Sequence, residues 1–221
     1  MKIAVFGATG MVGGGVLHEC LRDPRVDGVV AVVRRPLSVS DPKLDVVMVK
    51  DVSDLSAVEE RLGGLDAAFF CLGVSSVGMS EADYRRVTHD LTMAVARTLY
   101  RLNSRMTFTY VSGAGTDTSE ISGPMWARVK GQTENELLRM GFGGAYMFRP
   151  GFIRATAGAK FPSAGFAALY YLLMPFVLLA SLVAPSILTS TDRIARAMLR
   201  VAQQGAPSNW LGNREINSLA R

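Results

Sequence analysis

Cysteine and histidine are scarce in this 221-residue chain, with two of each. Cys20 and Cys71 are too few and too far apart for a disulfide framework or a metal-binding motif. Isolated thiols of this kind read as buried cysteines in a reducing compartment, so a cytoplasmic location is expected. With only His18 and His89 available, a histidine-based metal site is not expected, and His18 reads as a packing or surface residue of a helix. Runs of charge are also missing. The net charge is +5 and the isoelectric point about 9.5, yet no basic run exceeds Arg34-Arg35 or Arg85-Arg86, which argues against a nucleic-acid partner. No repeat, low-complexity tract or linker divides the sequence, so residues 1–221 are expected to form one domain. Lys2 precedes apolar residues as in a secretory leader, but glycines interrupt that stretch where it should be continuously apolar, and secretion is not expected.

What the chain does have is a glycine turn at its very start. In Lys2-Ile3-Ala4-Val5-Phe6-Gly7-Ala8-Thr9-Gly10-Met11-Val12-Gly13 a short apolar strand runs straight into a helix. Gly7, Gly10 and Gly13 let the chain turn sharply, let a pyrophosphate approach bare backbone, and let the helix pack close to the sheet. The N–H groups of Met11, Val12 and Gly13 and the helix dipole would then hold the anion. The spacing is G-x-x-G-x-x-G, with Thr9 where the commoner fingerprint has its second glycine. Apolar runs at Ile3–Phe6, Val29–Val33, Val46–Val49, Ala67–Cys71, Thr107–Val111 and Ala145–Phe148 read as strands buried on both faces. They alternate with helical patterns at Met11–Leu21, Leu55–Leu62, Glu81–Leu102 and Gly123–Met140, with Ser53 and Ser80 as candidate N-caps. The fold class is therefore α/β: a Rossmann-like, doubly wound parallel sheet with helices on both faces.

The end of the second strand bears on which dinucleotide fits. An NAD site calls for an acidic residue there, about 20 residues after the glycines, to accept hydrogen bonds from the ribose. This chain has Arg34 and Arg35 instead. Guanidinium groups cannot accept a hydrogen bond but can clamp a 2′-phosphate, so NADP is expected in preference to NAD, unless the two arginines are ordinary surface charges. Asp51, with Val52 after it, is expected either at the adenine edge or as a helix-start residue beside Ser53.

These residues, with Cys71-Leu72-Gly73, Val111-Ser112-Gly113-Ala114, Lys130-Gly131 and Arg149-Pro150-Gly151, resemble the atypical members of the short-chain dehydrogenase/reductase superfamily over most of the chain. The likeness extends to bacterial proteins labelled nucleoside-diphosphate-sugar epimerases. It implies that Cys71, Leu72 and Gly73 look onto the cofactor and that Pro150-Gly151 lies near the nicotinamide. It also implies a Ser–Tyr–Lys set, in which serine orients the substrate oxygen, tyrosine exchanges a proton and lysine holds the ribose. Ser112 and Lys130 fill two of these places, whereas Trp126 stands at the tyrosine position. Indole is a donor without useful acidity, so it cannot exchange that proton. Tyr84, His89 and Tyr110 are the nearest substitutes in sequence, with solvated or core roles as the alternative for each. Tyr110 lies two residues before Ser112 on a strand and shares its face.

The stretch 161–191 carries no charged residue and contains Pro175. It reads as two apolar helices broken at Pro175, within a small substrate-side or interface lobe spanning 152–190. Such a lobe would line a pocket for an apolar small-molecule substrate, pair with a second subunit as a homodimer, or touch a membrane surface. A true membrane span is not expected: Pro175 interrupts the run midway, and positive residues flank both ends, so no charge asymmetry sets an orientation. A final helix is expected at Asp192–Gln203, capped by Ser190 or Thr191. The leading expectation is an NADP(H)-dependent oxidoreductase acting on an apolar, easily reduced substrate. The alternatives are a non-catalytic NADPH sensor or scaffold, similar to NmrA-like regulators, and an enzyme of the sugar-nucleotide epimerase kind.

Overall fold

In the computed structural model, which describes residues 1–159 and 164–221, seven parallel strands form one sheet. Lys160 and the first three residues of the uncharged stretch, Phe161, Pro162 and Ser163, lie outside the described residues. The strands are β1 (Lys2–Phe6), β2 (Gly28–Val33), β3 (Leu44–Met48), β4 (Ala67–Phe70), β5 (Thr107–Val111), β6 (Gly144–Arg149) and β9 (Trp210–Gly212), in the order β3-β2-β1-β4-β5-β6-β9. A separate parallel pair joins β7 (Phe152–Arg154) to β8 (Leu188–Ser190). The helices are α1 (Met11–Arg22), α2 (Glu81–Arg85), α3 (Leu91–Leu102), α4 (Met125–Arg139), α5 (Ala164–Val183), α6 (Thr191–Gln204) and α7 (Asn213–Leu219).

The continuous apolar runs form central strands because side chains of both parities are buried. Ile3, Val5, Val29, Ala31 and Phe69 pack with Val16 and Cys20 of α1 and Ile194 and Met198 of α6. Ala4, Phe6, Val30, Val32 and Phe70 pack on the opposite face with Val95 and Leu99 of α3 and Leu137 of α4. A strand with two buried faces has no polar alternation, and the burial of all four residues of β4 shows this directly.

Several local expectations need correction. Residues Ser56–Leu62 form a 3-10 helix, and Ser53 does not cap it: the Ser53 amide and hydroxyl both donate to Asp51 Oδ1, at 2.9 and 2.8 Å. The expected Glu81–Leu102 helix is α2 and α3 joined by a π-helical stretch, Arg86–Asp90. Ser80 does cap it, accepting from the Asp83 amide at 3.2 Å. α5 is one helix with Pro175 inside it, not two helices. Proline removes one backbone donor and tends to kink a helix, but the apolar residues on both sides continue the helical path here. Among the described residues, no helix is long and apolar enough to cross a membrane. The exposed side chains of α5 include Tyr171, Leu172, Phe176 and Leu179.

Candidate functional site

The glycine turn lies at the C-terminal edge of β1, where the strand order reverses between β1 and β4. In open parallel sheets that crevice is where ligands enter. Gly7 has φ +85°, and a Cβ there would lie 2.9 Å from the Cys71 carbonyl and the Leu72 nitrogen. A Cβ on Gly13 would sit 2.2 Å from the Gly7 oxygen, so the close approach of α1 to the turn depends on glycine. Gly10 is different. It occupies the N-cap of α1 in an extended conformation, and a Cβ there would meet nothing nearer than the Gly7 oxygen at 3.4 Å. Among the described residues no side chain caps α1, and no acidic residue sits in its first turn. The initial amides therefore carry the partial positive charge of the helix end without a side-chain partner. Thr9 and Met11 are half-buried beside them, while Val12 packs against the core.

Arg34 and Arg35 follow β2 directly and are exposed; no hydrogen bond or ion pair of either side chain occurs among the described residues. Asp51 is held below the usual carboxylate range by the Ser53 amide and hydroxyl, with a smaller contribution from the Arg34 charge. It serves as the turn residue beside Ser53, and Arg34 is close enough to feel it. Val52 is buried in the core, so its side chain is committed to packing. Cys71 and Leu72 are half-buried and pack against opposite core faces, and burial pushes the Cys71 thiol up to about 12. A Cβ on Gly73 would meet no atom within 4 Å, which leaves that backbone open.

The side chains expected to orient a substrate are arranged unlike the resemblance implies. The Ser112 hydroxyl donates to Glu134 Oε1 at 2.5 Å and also lies 3.2 Å from the Phe148 carbonyl, turned into the protein. Glu134 is fully buried on α4. It pairs with Arg149, whose Nε lies 3.0 and 3.1 Å from the two carboxylate oxygens. This network ties α4 to the ends of β5 and β6. The position that faces Lys130 is Gly113: a Cβ there would lie 4.0 Å from Lys130 Nζ and 3.9 Å from the Pro150 oxygen. Lys130 donates to the Ser112 carbonyl, and burial lowers its ammonium to about 8 despite the opposing charge of Glu134. Trp126 is half-buried and packs over Gly115, where a Cβ would lie 3.4 Å from the indole Cη2. Gly131 admits the loop after β5, since a Cβ there would overlap the Asp117 carbonyl.

None of the substitute acids reaches an opening. Tyr84 and Tyr110 are buried, and burial raises both phenols. His89 is buried between two carboxylates, with Nδ1 2.7 Å from Asp90 and Nε2 2.9 Å from Glu136. His18 lies half-buried on α1, 3.4 Å from Glu19.

A cavity of about 240 Å³ opens between the start of α1 and the apolar helix α5. It is lined by Met11, Gly151, Phe152, Ile153, Tyr170, Leu173, Met174 and Val177. Gly151 in this lining is held by Asn213, which accepts from the Gly151 amide at 3.1 Å and donates to the Ile187 carbonyl at 2.5 Å. Glu134 and Asn213 were not singled out from sequence, and Arg149 only as part of the Arg149-Pro150-Gly151 turn. For Glu134 a signal existed, because it follows Ala127 and Gly131 at helical spacing on the buried stripe of α4.

Strand order, glycine turn and flanking helices define a Rossmann-like α/β protein with the fold of short-chain dehydrogenase/reductase-type epimerases and dehydratases. No known family model matches the chain. Its curated relatives include the protein fmp52-1, mitochondrial, of Aspergillus terreus, 29% identical over 164 residues, covering 70% of this chain and 68% of that protein. Among solved structures, the dTDP-glucose 4,6-dehydratase DesIV of Streptomyces venezuelae, with NAD bound, superposes with a TM-score of 0.66 at 15% identity, over 100% of this chain and 80% of that one. The UDP-N-acetylglucosamine 4-epimerase of Methanobrevibacter ruminantium gives 0.68 at 14% identity, over 95% and 74%. The relatives correct one expectation: the Aspergillus protein and its Saccharomyces cerevisiae counterpart are named as mitochondrial, which contradicts a cytoplasmic location inferred from cysteine usage.

Proposed function

We propose that the chain binds a nicotinamide dinucleotide, NADP(H) in preference to NAD(H), and acts as an oxidoreductase on an apolar, easily reduced small molecule. The observation that carries the reading is Gly10. It caps α1 where packing tolerates a Cβ, beside Gly7 and Gly13 where packing does not, and it keeps the helix amides open to an anion. The dinucleotide-binding structures that share this fold, DesIV with NAD among them, support the cofactor class. The preference for NADP rests on Arg34 and Arg35 at the end of β2.

The bound cofactor would supply hydride. The chain's own residues hold the backbone at Gly73, Gly113 and Pro150-Gly151, place the Lys130 ammonium beside Gly113, and line the adjoining cavity with apolar side chains. Trp126 stands where the resemblance puts the tyrosine acid, and the Ser112 hydroxyl is already committed to Glu134. The same fact favours a second reading, a non-catalytic NADPH sensor. The epimerase reading is weaker, since an apolar cavity offers little to a diphosphate sugar.

Calorimetric titration with NADPH and NADH, on wild type and Arg34→Ala, tests the cofactor assignment. Charge-assisted hydrogen bonds contribute roughly 1.5–3 kcal/mol, so the variant should lose about tenfold or more of its NADPH affinity while NADH binding stays unchanged. Equal affinities for both dinucleotides in wild type would remove the NADP preference. Turnover of NADPH with an electrophilic acceptor separates the enzyme from the sensor.

A further inference from the structure

Leu172, Phe176 and Leu179 follow one another at i, i+4 and i+7 along one side of α5 and are 66, 68 and 66% exposed. Tyr170, Met174 and Val177 repeat that spacing on the other side, where they face the domain and Val177 is buried. Exposed apolar residues scattered singly are ordinary, whereas a contiguous apolar strip marks a contact surface. No charged residue interrupts this one, since 161–191 carries none.

The charge around the strip has one sign. Residues 137–221 hold nine basic side chains and two acidic ones, a net +7, whereas residues 1–136 sum to −2. Both acids are engaged: Asp192 pairs with Arg196, and Glu215 accepts from the Gly212 amide at 3.0 Å. Exposed arginines border α5. Arg154 precedes Ala155, whose amide donates to the Tyr170 oxygen on α5 at 2.8 Å. Arg214 follows Asn213, which donates to the Ile187 carbonyl just beyond the helix. An apolar strip with a cationic border is complementary to a lipid surface bearing anionic headgroups.

A second copy of the chain fits the strip less well. In projection a helix about 30 Å long and about 10 Å wide presents roughly 300 Å². Even doubled for the relief of its side chains, that area stays below the roughly 800 Å² per partner of a stable protein–protein interface. Two copies meeting on α5 would also bring their +7 halves together, and like charges oppose such a contact.

We infer that α5 docks on an anionic lipid surface, with Leu172, Phe176 and Leu179 inserted at the boundary of headgroups and acyl chains and the bordering arginines set against the phosphates. An interfacial helix ordinarily supplies its own polar face. Here the domain packed behind Val177 takes that role, and no bound dinucleotide is needed.

The test mixes full-length protein with vesicles of phosphatidylcholine alone, or of phosphatidylcholine with phosphatidylglycerol, and floats them on a density gradient. Leu172→Glu and, separately, Phe176→Glu put a carboxylate on the exposed side of α5, outside the cavity lining, so the melting temperature should not change. Wild type should float with the mixed vesicles, bind neutral ones at least about tenfold more weakly, and be released by about 0.5 M salt. Each variant should bind the mixed vesicles at least about tenfold more weakly than wild type. If either variant fails to fold, the other carries the comparison. Wild type that does not float, or a folded variant that floats as well as wild type, overturns the inference. Equal binding to neutral vesicles, undiminished by salt, overturns the anionic surface. A dimer in analytical ultracentrifugation that the glutamates dissociate, without flotation of wild type, gives the strip to a second copy instead.

Discussion

Replacing Gly10 and Gly13 separately by alanine distinguishes a glycine required by packing from one required by a ligand. At Gly13 the new Cβ would lie 2.2 Å from the Gly7 oxygen and 2.5 Å from its carbon. Restoring an ordinary contact moves α1 or the turn by roughly 1 Å, and overpacking of this kind costs about 1–3 kcal/mol. In a chain of this size that lowers the melting temperature by about 2–12 °C. At Gly10 the Cβ meets the Gly7 oxygen at 3.4 Å and φ is −93°, so no strain arises. Exchanging a glycine N-cap for alanine costs about 0.5–1 kcal/mol, offset by about 0.4–1 kcal/mol from a less flexible unfolded chain. The Gly10→Ala melting temperature should therefore stay within about 2 °C of wild type. Its NADPH affinity should nonetheless fall tenfold or more, about 1.4 kcal/mol, because the methyl group stands where the pyrophosphate meets bare backbone. Differential scanning calorimetry and isothermal titration measure the two quantities on the same samples. An unchanged NADPH affinity in Gly10→Ala, or a stability loss equal to that of Gly13→Ala, refutes the reasoning.

Three further outcomes follow from the geometry. Glu134→Gln leaves the Arg149 charge beside a neutral partner and weakens the bond from Ser112; breaking a buried pair costs roughly 3–5 kcal/mol, read as a lowered urea midpoint, and a change below about 0.5 kcal/mol contradicts the network's role. Lys130 has a pKa lowered by burial to about 8. Between that value and the ordinary lysine range the unfolded chain binds the extra proton, so stability from this group rises with pH across that window. The wild-type-minus-Lys130→Met stability difference should accordingly increase from pH 7 to pH 10, and a flat difference contradicts the burial assignment. Trp126→Tyr should keep NADPH affinity within about threefold, since the indole packs over Gly115; a loss beyond tenfold would place Trp126 in the cofactor site.

The central strands were legible because each is an apolar run long enough to stand out, and β1 through β6 lie within two residues of the runs read from sequence. β7, β8 and β9 are each three residues long and leave no periodic signal. The orientation of Ser112 follows from strand parity. Tyr110 and Ser112 share a strand face, and Tyr110 is buried on the α3/α4 side of the sheet, so the serine hydroxyl points toward α4 and meets Glu134. Asn213 was not legible, because its role depends on α7 bringing it against Gly151, which lies sixty-two residues earlier. Pro175 was read as a helix break, yet the uncharged residues around it run through as one helix.

A crystal structure of the protein grown with NADPH tests the central claim most directly. The account predicts the pyrophosphate on the amides of Met11 and Val12, with the 2′-phosphate against Arg34 and Arg35. A dinucleotide bound elsewhere, or no bound dinucleotide at saturating concentration, would contradict it.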